Sequence, residues 1–329
     1  NSLENNGASR MVTNTLSGGA TLSFSTRPVF LAASTDGTTR GFTLAGSGTT
    51  NINVPIVNGG TQANAFNYWG VGGTLNLSGI STYTGATTLS GGTTTLYSAG
   101  GQLNTTASIT VNQGAVLTLD NVNTINGVPG ANPAGGTISG MSTTSGSTTV
   151  TVADTTGLVA GMAVNGPGIP AGAVINSVTN GTQFVISANA SATNTGQVMN
   201  YGSTRLNSRV LNLNGGTVNL IGGATGTTEG AVANTTAVLT AGAGQSFLNV
   251  INNGGTTQWN LASLTVNTGG YLGFTSNVPF GGVNNQVMFT TAPGLTPVSV
   301  GLLNRATVQV GGALDFATYN TTGIVANSA

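Results

Sequence analysis

The stretch Gly72-Gly73-Thr74-Leu75-Asn76-Leu77 decides the fold, because the chain repeats its pattern along its length. Two glycines are followed by three variable residues and then by Leu or Phe. Further copies begin at Gly91, Gly215, Gly269 and Gly311. Each copy predicts a turn followed by a short strand in which apolar residues alternate with polar ones. Repetition of one turn-and-strand unit is typical of stacked β architectures.

A longer phrase is also repeated. Ala107–Leu119 and Ala262–Phe274 are identical at seven of thirteen positions, and Ala306–Phe316 is the same phrase shortened by two residues. Each copy predicts a strand, a glycine turn and a second strand. We expect the two strands to form two sides of one turn of a solenoid, with about 20–25 residues in each turn.

The pattern therefore predicts an all-β chain, and we interpret it as a right-handed parallel β-helix with a small inserted β module. The alternative is a β-sandwich subunit that exchanges strands with its neighbours. The repeated phrase is absent between Ile138 and Tyr201 and resumes at Val210. We therefore predict a first part of the β-helix over residues 1–137, an inserted module over 138–201 and a second part over 202–329.

The composition limits the chemistry that is available. Only 4% of the 329 residues are charged, six Arg balance six acids, and the chain has no Lys, His or Cys. Without His or Cys the commonest general base and the thiolate metal sites are missing. A net charge of zero without basic clusters argues against nucleic acid and anionic membranes as partners. No apolar run approaches the ~20 residues of a membrane-spanning helix, so no membrane insertion is expected.

The carboxylates offer little material for an active site, because no two of them are spaced i, i+2 on one strand face. We predict that they are solvated or Arg-paired surface charges, and that the aspartates at 120 and 154 cap turns rather than bind calcium. No catalytic, cofactor-binding or metal-binding residue is therefore predicted. The six acids are Glu4, Asp36, Asp120, Asp154, Glu229 and Asp315.

One aromatic cluster is present, Phe66-Asn67-Tyr68-Trp69-Gly70. It anchors a loop or an end of the stack, or it forms an adhesive patch for sugars or for another subunit. Tyr68 and Trp69 are therefore candidates for self-association. Trp259 precedes Leu261 in a repeat and is predicted to lie in the core.

Part of the chain resembles a known repeat family. Gly73–Leu96, with its centre Thr82-Tyr83-Thr84-Gly85-Ala86-Thr87, is similar to the autotransporter-associated β-strand repeat, and partial matches elsewhere extend the likeness to about a third of the chain. The resemblance implies a right-handed parallel β-helix on a bacterial cell surface.

The shortage of charge points to a function. A stack of strands ends in open edges, which natural proteins blunt with charges, Lys or Pro, and this chain has few such residues. We therefore predict a non-enzymatic extracellular or cell-surface structural protein that self-assembles into a filament through β-edge contacts. Its partner is then itself, with the segments Ala8–Leu16 and Ala317–Ala329, and in them Val12 and Ile324, as candidate contacts.

Two alternatives stay open at this point. One is a monomeric adhesin or autotransporter passenger stalk, whose partners include surface glycans. The other is a carbohydrate-active β-helix enzyme, since such folds host polysaccharide lyases and hydrolases that use clustered acids.

Overall fold

This computed structural model describes residues 3–4, 8–32, 38–98, 100–103, 105–125, 128–129, 136–202, 204–206, 209–224, 226–230, 237–282, 284–296 and 301–327. Over these ranges the chain forms strands and turns but no α-helix. The described residues accordingly contain no helix that is long and apolar enough to cross a membrane. The predicted all-β class is confirmed.

The strands follow one another at short intervals in three parts of the chain. The first part contains β1 (Leu3–Glu4), β2 (Arg10–Thr13), β3 (Thr21–Phe24), β4 (Val29–Phe30), β5 (Gly41–Gly46), β6 (Thr49–Ile52), β7 (Ile56–Val57), β8 (Ala65–Gly70), β9 (Thr74–Leu77), β10 (Thr87–Leu89), β11 (Gly92–Tyr97), β12 (Ser108–Asn112), β13 (Ala115–Asp120), β14 (Thr124–Ile125) and β15 (Val128–Pro129). The middle part contains β16 (Gly136–Thr143), β17 (Thr149–Thr151), β18 (Ala163–Asn165), β19 (Ile175–Asn180), β20 (Gln183–Ile186) and β21 (Asn194–Gly202). The last part contains β22 (Val210–Asn214), β23 (Thr217–Ile221), β24 (Thr227–Glu229), β25 (Ala237–Ala241), β26 (Gly244–Ile251), β27 (Thr257–Val266), β28 (Gly270–Ser276), β29 (Asn285–Phe289), β30 (Leu302–Val310), β31 (Ala313–Asn320) and β32 (Gly323–Ala326).

Two long sheets run through the first and last parts. The first long sheet has the order β2-β5-β8-β10-β12-β22-β25-β27, with β24 and β29 also paired to β27. The second long sheet has the order β3-β6-β9-β11-β13-β23-β26-β28-β30-β31-β32. Apart from β24, the strands of the smaller sheets and the last two strands, the chain visits the two long sheets alternately, and each pass adds one strand to each sheet, parallel to the strand of the previous pass. Phe42, Phe66, Thr87 and Ile109 occupy equivalent positions in successive passes, separated by 24, 21 and 22 residues.

The interior lies between these sheets and is built from columns of equivalent residues. In the second long sheet, Ile52, Leu77, Leu96, Leu119 and Leu220 stand in register on successive strands and are all buried. Their burial removes apolar surface from water, which is the main stabilising term for such a stack. Burial alternates along β12, β23 and β25, as the sequence pattern predicts.

A polar column stands on the opposite side of the same sheet. Asn51, Asn76, Asn219 and Asn249 occupy equivalent positions on successive strands, with Thr95 and Thr118 between them. The Asn76 Nδ2 donates to the Asn51 Oδ1 at 2.8 Å, and the Asn249 Nδ2 donates to the Asn219 Oδ1 at 2.8 Å. These side-chain bonds reinforce the backbone ladder along the stack.

The repeated glycine pairs have two different roles. The first glycine of each pair has a positive φ, as at Gly72 (71°) and Gly91 (83°), which L-residues with a side chain rarely adopt. The second glycine permits close approach between passes. A Cβ atom on Gly73 would lie 2.4 Å from the Gly46 carbonyl oxygen, and one on Gly92 would lie 2.6 Å from the Gly73 carbonyl oxygen.

The last copy of the repeat does not follow this rule. Instead of placing its two strands in different sheets, it forms an antiparallel hairpin in which β30 pairs with β31 and Val310 faces Ala313. Gly311 and Gly312 both have positive φ, as the two-residue turn of a tight hairpin requires. The expectation that Ala306–Phe316 forms two sides of one turn of the solenoid is therefore wrong.

The middle part forms a separate antiparallel sheet of the order β18-β21-β16-β17-β20-β19. It has its own hydrophobic cluster, which includes Met141, Val150, Met162 and Phe184. Its two ends lie side by side, because Gly136 pairs with Tyr201. The long sheets continue in parallel register across this part, with β12 paired to β22 and β13 to β23. One contact to the long sheets is a hydrogen bond from the Gln102 Nε2 to the Gly161 carbonyl oxygen.

We expect the long sheets to fold without the middle part. In a variant in which residues 138–201 are replaced by a short Gly/Ser linker, the paired ends leave only a small gap to close, and the main core is untouched. Circular dichroism should still show strand, and thermal unfolding should stay cooperative. Loss of a cooperative transition would mean that the middle part is needed to hold β13 against β23.

Candidate functional site

The described carboxylates are engaged in local or buried interactions. Asp120 accepts hydrogen bonds from the backbone nitrogens of Val122 (2.8 Å) and Asn123 (3.0 Å), and Asp154 accepts one from the backbone nitrogen of Thr156 at 2.8 Å. The bond from Thr156 lowers the pKa of Asp154. Both aspartates thus cap turns, as the sequence predicts. Asp36 and the Glu4 side chain lie outside the described residues.

Two acids are not on the surface, which corrects the prediction of surface charges. Asp120 is buried, and Glu229 is buried beside Arg205, the two side chains meeting at 3.2 Å between the Arg205 Nε and the Glu229 Oε2. In the part of the chain that the structure describes, no three His, Cys, Asp or Glu side chains gather in a way that suits a metal ion.

Arg205 connects several passes in the interior. Its Nη1 donates to the carbonyl oxygens of Leu96 (2.9 Å) and Asp120 (3.1 Å), and its Nη2 donates to the Asn121 Oδ1 at 3.2 Å. Its own backbone nitrogen donates to the Glu229 Oε1 at 2.6 Å. This network satisfies backbone groups just where the chain leaves the stack for the middle part and returns from it. It is structural, because a buried charge needs this many partners to be tolerated.

Removal of the Glu229 charge tests this role. In Glu229→Gln the Arg205 cation stays buried without its counter-ion, so we expect the free energy of unfolding to fall by about 3–5 kcal/mol. Asp154→Asn, at an exposed turn, is the matched control and should leave it nearly unchanged. Denaturant unfolding of both variants gives the comparison. Equal, small losses of unfolding free energy in the two variants would show that the buried Arg205 does not need the Glu229 charge.

The aromatic cluster divides between the two faces of β8. Tyr68 is buried in the core, and Trp69 is 51% exposed on the outer face of the first long sheet. Adjacent residues of a strand point to opposite sides, so the two side chains cannot act together. Tyr68 therefore cannot meet a partner in the intact fold, whereas Trp69 stays a candidate. Trp259 is buried, as predicted.

Buried tyrosines set the response to high pH. Burial raises the pKa of Tyr68 to about 12 and also raises the pKa of Tyr83 and of Tyr97. Because the folded-state pKa exceeds the ordinary value of 10.0, this stabilisation is fully present below pH 10.0 and is lost as the pH rises toward 12. No partner for the Tyr68 hydroxyl lies among the described residues, whereas the Tyr83 hydroxyl meets the Thr87 Oγ1 at 2.5 Å.

We therefore expect a melting temperature that is nearly flat from about pH 5 to 9 and falls above about pH 10. Tyr68→Phe should leave the stability at pH 7 unchanged or raise it by about 1 kcal/mol, and should reduce the alkaline loss. Tyr83→Phe, which loses a hydrogen bond, should cost about 1 kcal/mol at pH 7. Calorimetry across this pH range provides the check. An alkaline loss identical in Tyr68→Phe and the unsubstituted protein would contradict the prediction.

At the amino-terminal end of the stack, the first strands have a neighbour on one side only among the described residues. β2 and β3 begin the two long sheets, and β1 begins a three-stranded parallel sheet with β4 and β7. Val12 is half-buried and packs partly against the core. Met11 and Leu16, by contrast, are 59% and 47% exposed. The sequence singled out Val12 in this segment, but the exposed neighbours are better placed to meet a partner.

The carboxyl-terminal end is closed rather than open. β31 and β32 form an antiparallel pair whose inner side buries Ala317 and Ile324. The Tyr319 hydroxyl bonds to the backbone of Phe289 in β29, at 2.9 Å to the nitrogen and 3.1 Å to the oxygen. This closing hairpin (β31–β32) thus joins the end of the second long sheet to the end of the first. Ile324 is a core residue here, which corrects its selection as a surface contact.

The outer side of the closing hairpin carries two apolar residues of the repeated phrase. Leu314 and Phe316 are 67% and 61% exposed. Their phrase matches earlier repeats in which the equivalent residues are buried. Here, however, the tight turn between β30 and β31 reverses the chain direction, and the apolar side of β31 faces outward. The two-residue shortening of Ala306–Phe316 was the available signal, because it leaves room only for a tight turn.

Comparison with known proteins adds no relative: no family model, no curated protein and no solved structure matches this chain. The resemblance of Gly73–Leu96 to the autotransporter-associated repeat therefore stays a prediction.

Proposed function

We propose that this chain is a right-handed parallel β-helix that acts as a non-enzymatic structural protein outside the cell or on its surface, where copies join into a filament through strand edges. The alternate visits to two sheets with parallel pairing support the β-helix, because the sheets of a β-sandwich are antiparallel. The resemblance to the autotransporter-associated repeat and the charge-poor composition support the location.

The open edges of β2 and β3 carry the proposal. Neither strand has a register shift against its neighbour, and Arg10 is the single charged residue in the two strands. Bulges, charges and proline are the devices by which proteins prevent edge pairing. Because the edges of β2 and β3 nearly lack these protective devices, they favour the addition of another chain.

A monomeric stalk is the second candidate. The closing hairpin favours it, because a covered end does not offer a parallel strand to another copy. In that case the exposed Trp69, flanked on its sheet face by Ala45 and Asn67, suits the stacking of neutral surface glycans.

A positive charge introduced on the edges of β2 and β3 distinguishes the filament from the monomeric stalk. Val12 and Ile324 are poor positions for it, because lysine there would disturb the core. Thr13 and Ser23 are exposed on β2 and β3, so Thr13→Lys with Ser23→Lys should leave the fold intact and reduce the polymerised mass at least about tenfold. Thr88→Lys on the central strand β10 is the control and should polymerise normally.

Electron microscopy and sedimentation of the purified proteins give the measurement. Filaments of the unsubstituted protein that are lost in the edge variant would support assembly. A protein that stays monomeric at every concentration would contradict the proposed filament and favour the monomeric stalk.

A further inference from the structure

One groove on the second long sheet combines an arginine with two aromatic side chains. It has a volume of about 180 Å³, and its lining includes Tyr271 of β28, Arg305 and Thr307 of β30 and Phe316 of β31. Phe316 is 61% exposed, and Arg305 is exposed as well. The Tyr271 hydroxyl and the Thr307 Oγ1 are hydrogen-bonded, which holds the tyrosine ring in place. We call this surface the arginine groove.

The backbone at Arg305 departs from a regular strand. The pairing of β30 with β31 shifts register between Leu302 and Thr307, and Arg305 lies within this interval with a φ of 55°. A residue with a side chain rarely adopts this conformation, and bulges in a strand re-aim the side chain that they carry. The Arg305 Nη1 donates to the Asn267 carbonyl oxygen at 3.1 Å. The bulge therefore directs an exposed guanidinium to the groove, where a carbonyl group holds it.

The charge of Arg305 is open to a ligand. Within the described residues no carboxylate forms a salt bridge with Arg305. Asp315 precedes Phe316 on β31, but adjacent residues of a strand point to opposite sides of the sheet. A guanidinium has five N–H groups in a rigid fork that fits the two oxygens of a carboxylate. The groove thus suits a ligand that carries a carboxylate next to an apolar ring face.

A second groove lies on the same face of this sheet. It has a volume of about 320 Å³, and its lining includes Asn249 of β26, Thr275 of β28 and Gln309 of β30. Gln309 and Thr307 are two residues apart on β30 and therefore point to the same side, so the two grooves are neighbours. Amide and hydroxyl groups both donate and accept hydrogen bonds, as the hydroxyl groups of a sugar require. We call this surface the amide groove.

The strands beneath the two grooves offer no backbone edge. β28 is paired with β26 and β30, and β30 is paired with β28 and β31. An extended peptide gains most of its affinity by adding a strand to an open edge, which is not available at this place. A sugar needs no edge, because its ring face packs on aromatic side chains and its hydroxyl groups bind amides. The arrangement therefore favours a saccharide over a peptide.

We propose that this face binds a short acidic oligosaccharide. The carboxylate of one uronic acid unit meets Arg305, the ring of that unit lies against Tyr271 and Phe316, and the next units bind in the amide groove. The arginine groove is smaller than the ~300 Å³ of pockets that enclose a whole ligand, which agrees with one sugar ring held on an open surface. This inference goes beyond the proposed structural role and does not depend on self-assembly, because both grooves belong to a single copy.

Calorimetric titration of the intact protein with matched ligands tests the proposal. The probes are tetramers of galacturonic acid and of mannuronic acid and the tetrasaccharide of hyaluronan, each as the free acid and as the methyl ester. N-acetyl-tetraalanine supplies a peptide carboxylate. We expect at least one free acid to bind at one site per chain, and its methyl ester and the peptide to bind at least about tenfold more weakly. The comparison of acid and ester uses the unsubstituted protein and does not rely on any variant.

Four variants locate the site. Arg305→Gln should weaken binding of the free acid at least about tenfold and leave the methyl ester unchanged, whereas Arg27→Gln, which removes an exposed charge between β3 and β4, should change neither. Phe316→Ala should weaken acid and ester alike, at least about threefold, because ring packing does not depend on charge. Gln309→Ala should weaken the tetramer but not the single uronic acid unit. Circular dichroism checks that each variant is folded.

Several results would overturn this proposal. Absence of binding by every free acid at millimolar concentrations, or equal binding of acids and esters, would remove the role of Arg305. Equal binding of the peptide would mean that the groove recognises a carboxylate alone. Binding that is lost in Trp69→Ala but kept in Arg305→Gln would place the sugar on the first long sheet. None of these results bears on filament formation, and a protein that forms no filament would leave the sugar site intact.

Discussion

Parallel in-register stacking is the constraint on which this structure depends. Once one pass lies on the next with equivalent residues paired, any residue type that suits the interior at one position must suit it in every pass. The column Ile52, Leu77, Leu96, Leu119 and Leu220 meets this requirement on one face of the second long sheet. A shift of one residue would turn every such column outward, so the register is strongly specified.

The same constraint explains the glycine pairs and the buried polar cluster around Arg205. Passes about 4.8 Å apart leave no room for a Cβ where a turn crosses a carbonyl group below it, as Gly73 does over Gly46. Where the column pattern is interrupted at the exit to the middle part, carbonyl groups lose their regular partners. Arg205 fills that position and donates hydrogen bonds to the carbonyl oxygens of Leu96 and Asp120, while Glu229 balances its charge.

The local sequence pattern was sufficient to predict part of the fold. Alternation predicted the strands, and the glycine pairs predicted the turns at Gly72 and Gly91, because both signals are contained within a few residues. The Arg205–Glu229 pair was not predictable, since its partners are joined by the stacking of passes rather than by sequence spacing. The outward position of Leu314 and Phe316 was not predictable either, because alternation does not encode the direction of a strand after a turn, and that direction decides which face is inner.

The strand edges of this protein differ in how well they are protected against pairing with another chain, and the proposed contact follows from that difference. In the middle part, the edge strand β19 is interrupted by register shifts on both sides of Ser177 and Val178, a distortion that hinders pairing with another strand. At the carboxyl-terminal end the closing hairpin covers the last pass. β2 and β3 have neither device, although they begin the two longest sheets. Because edge protection is present elsewhere in the same chain, its near absence on β2 and β3 supports the proposed contact at these two strands over a general tendency to aggregate.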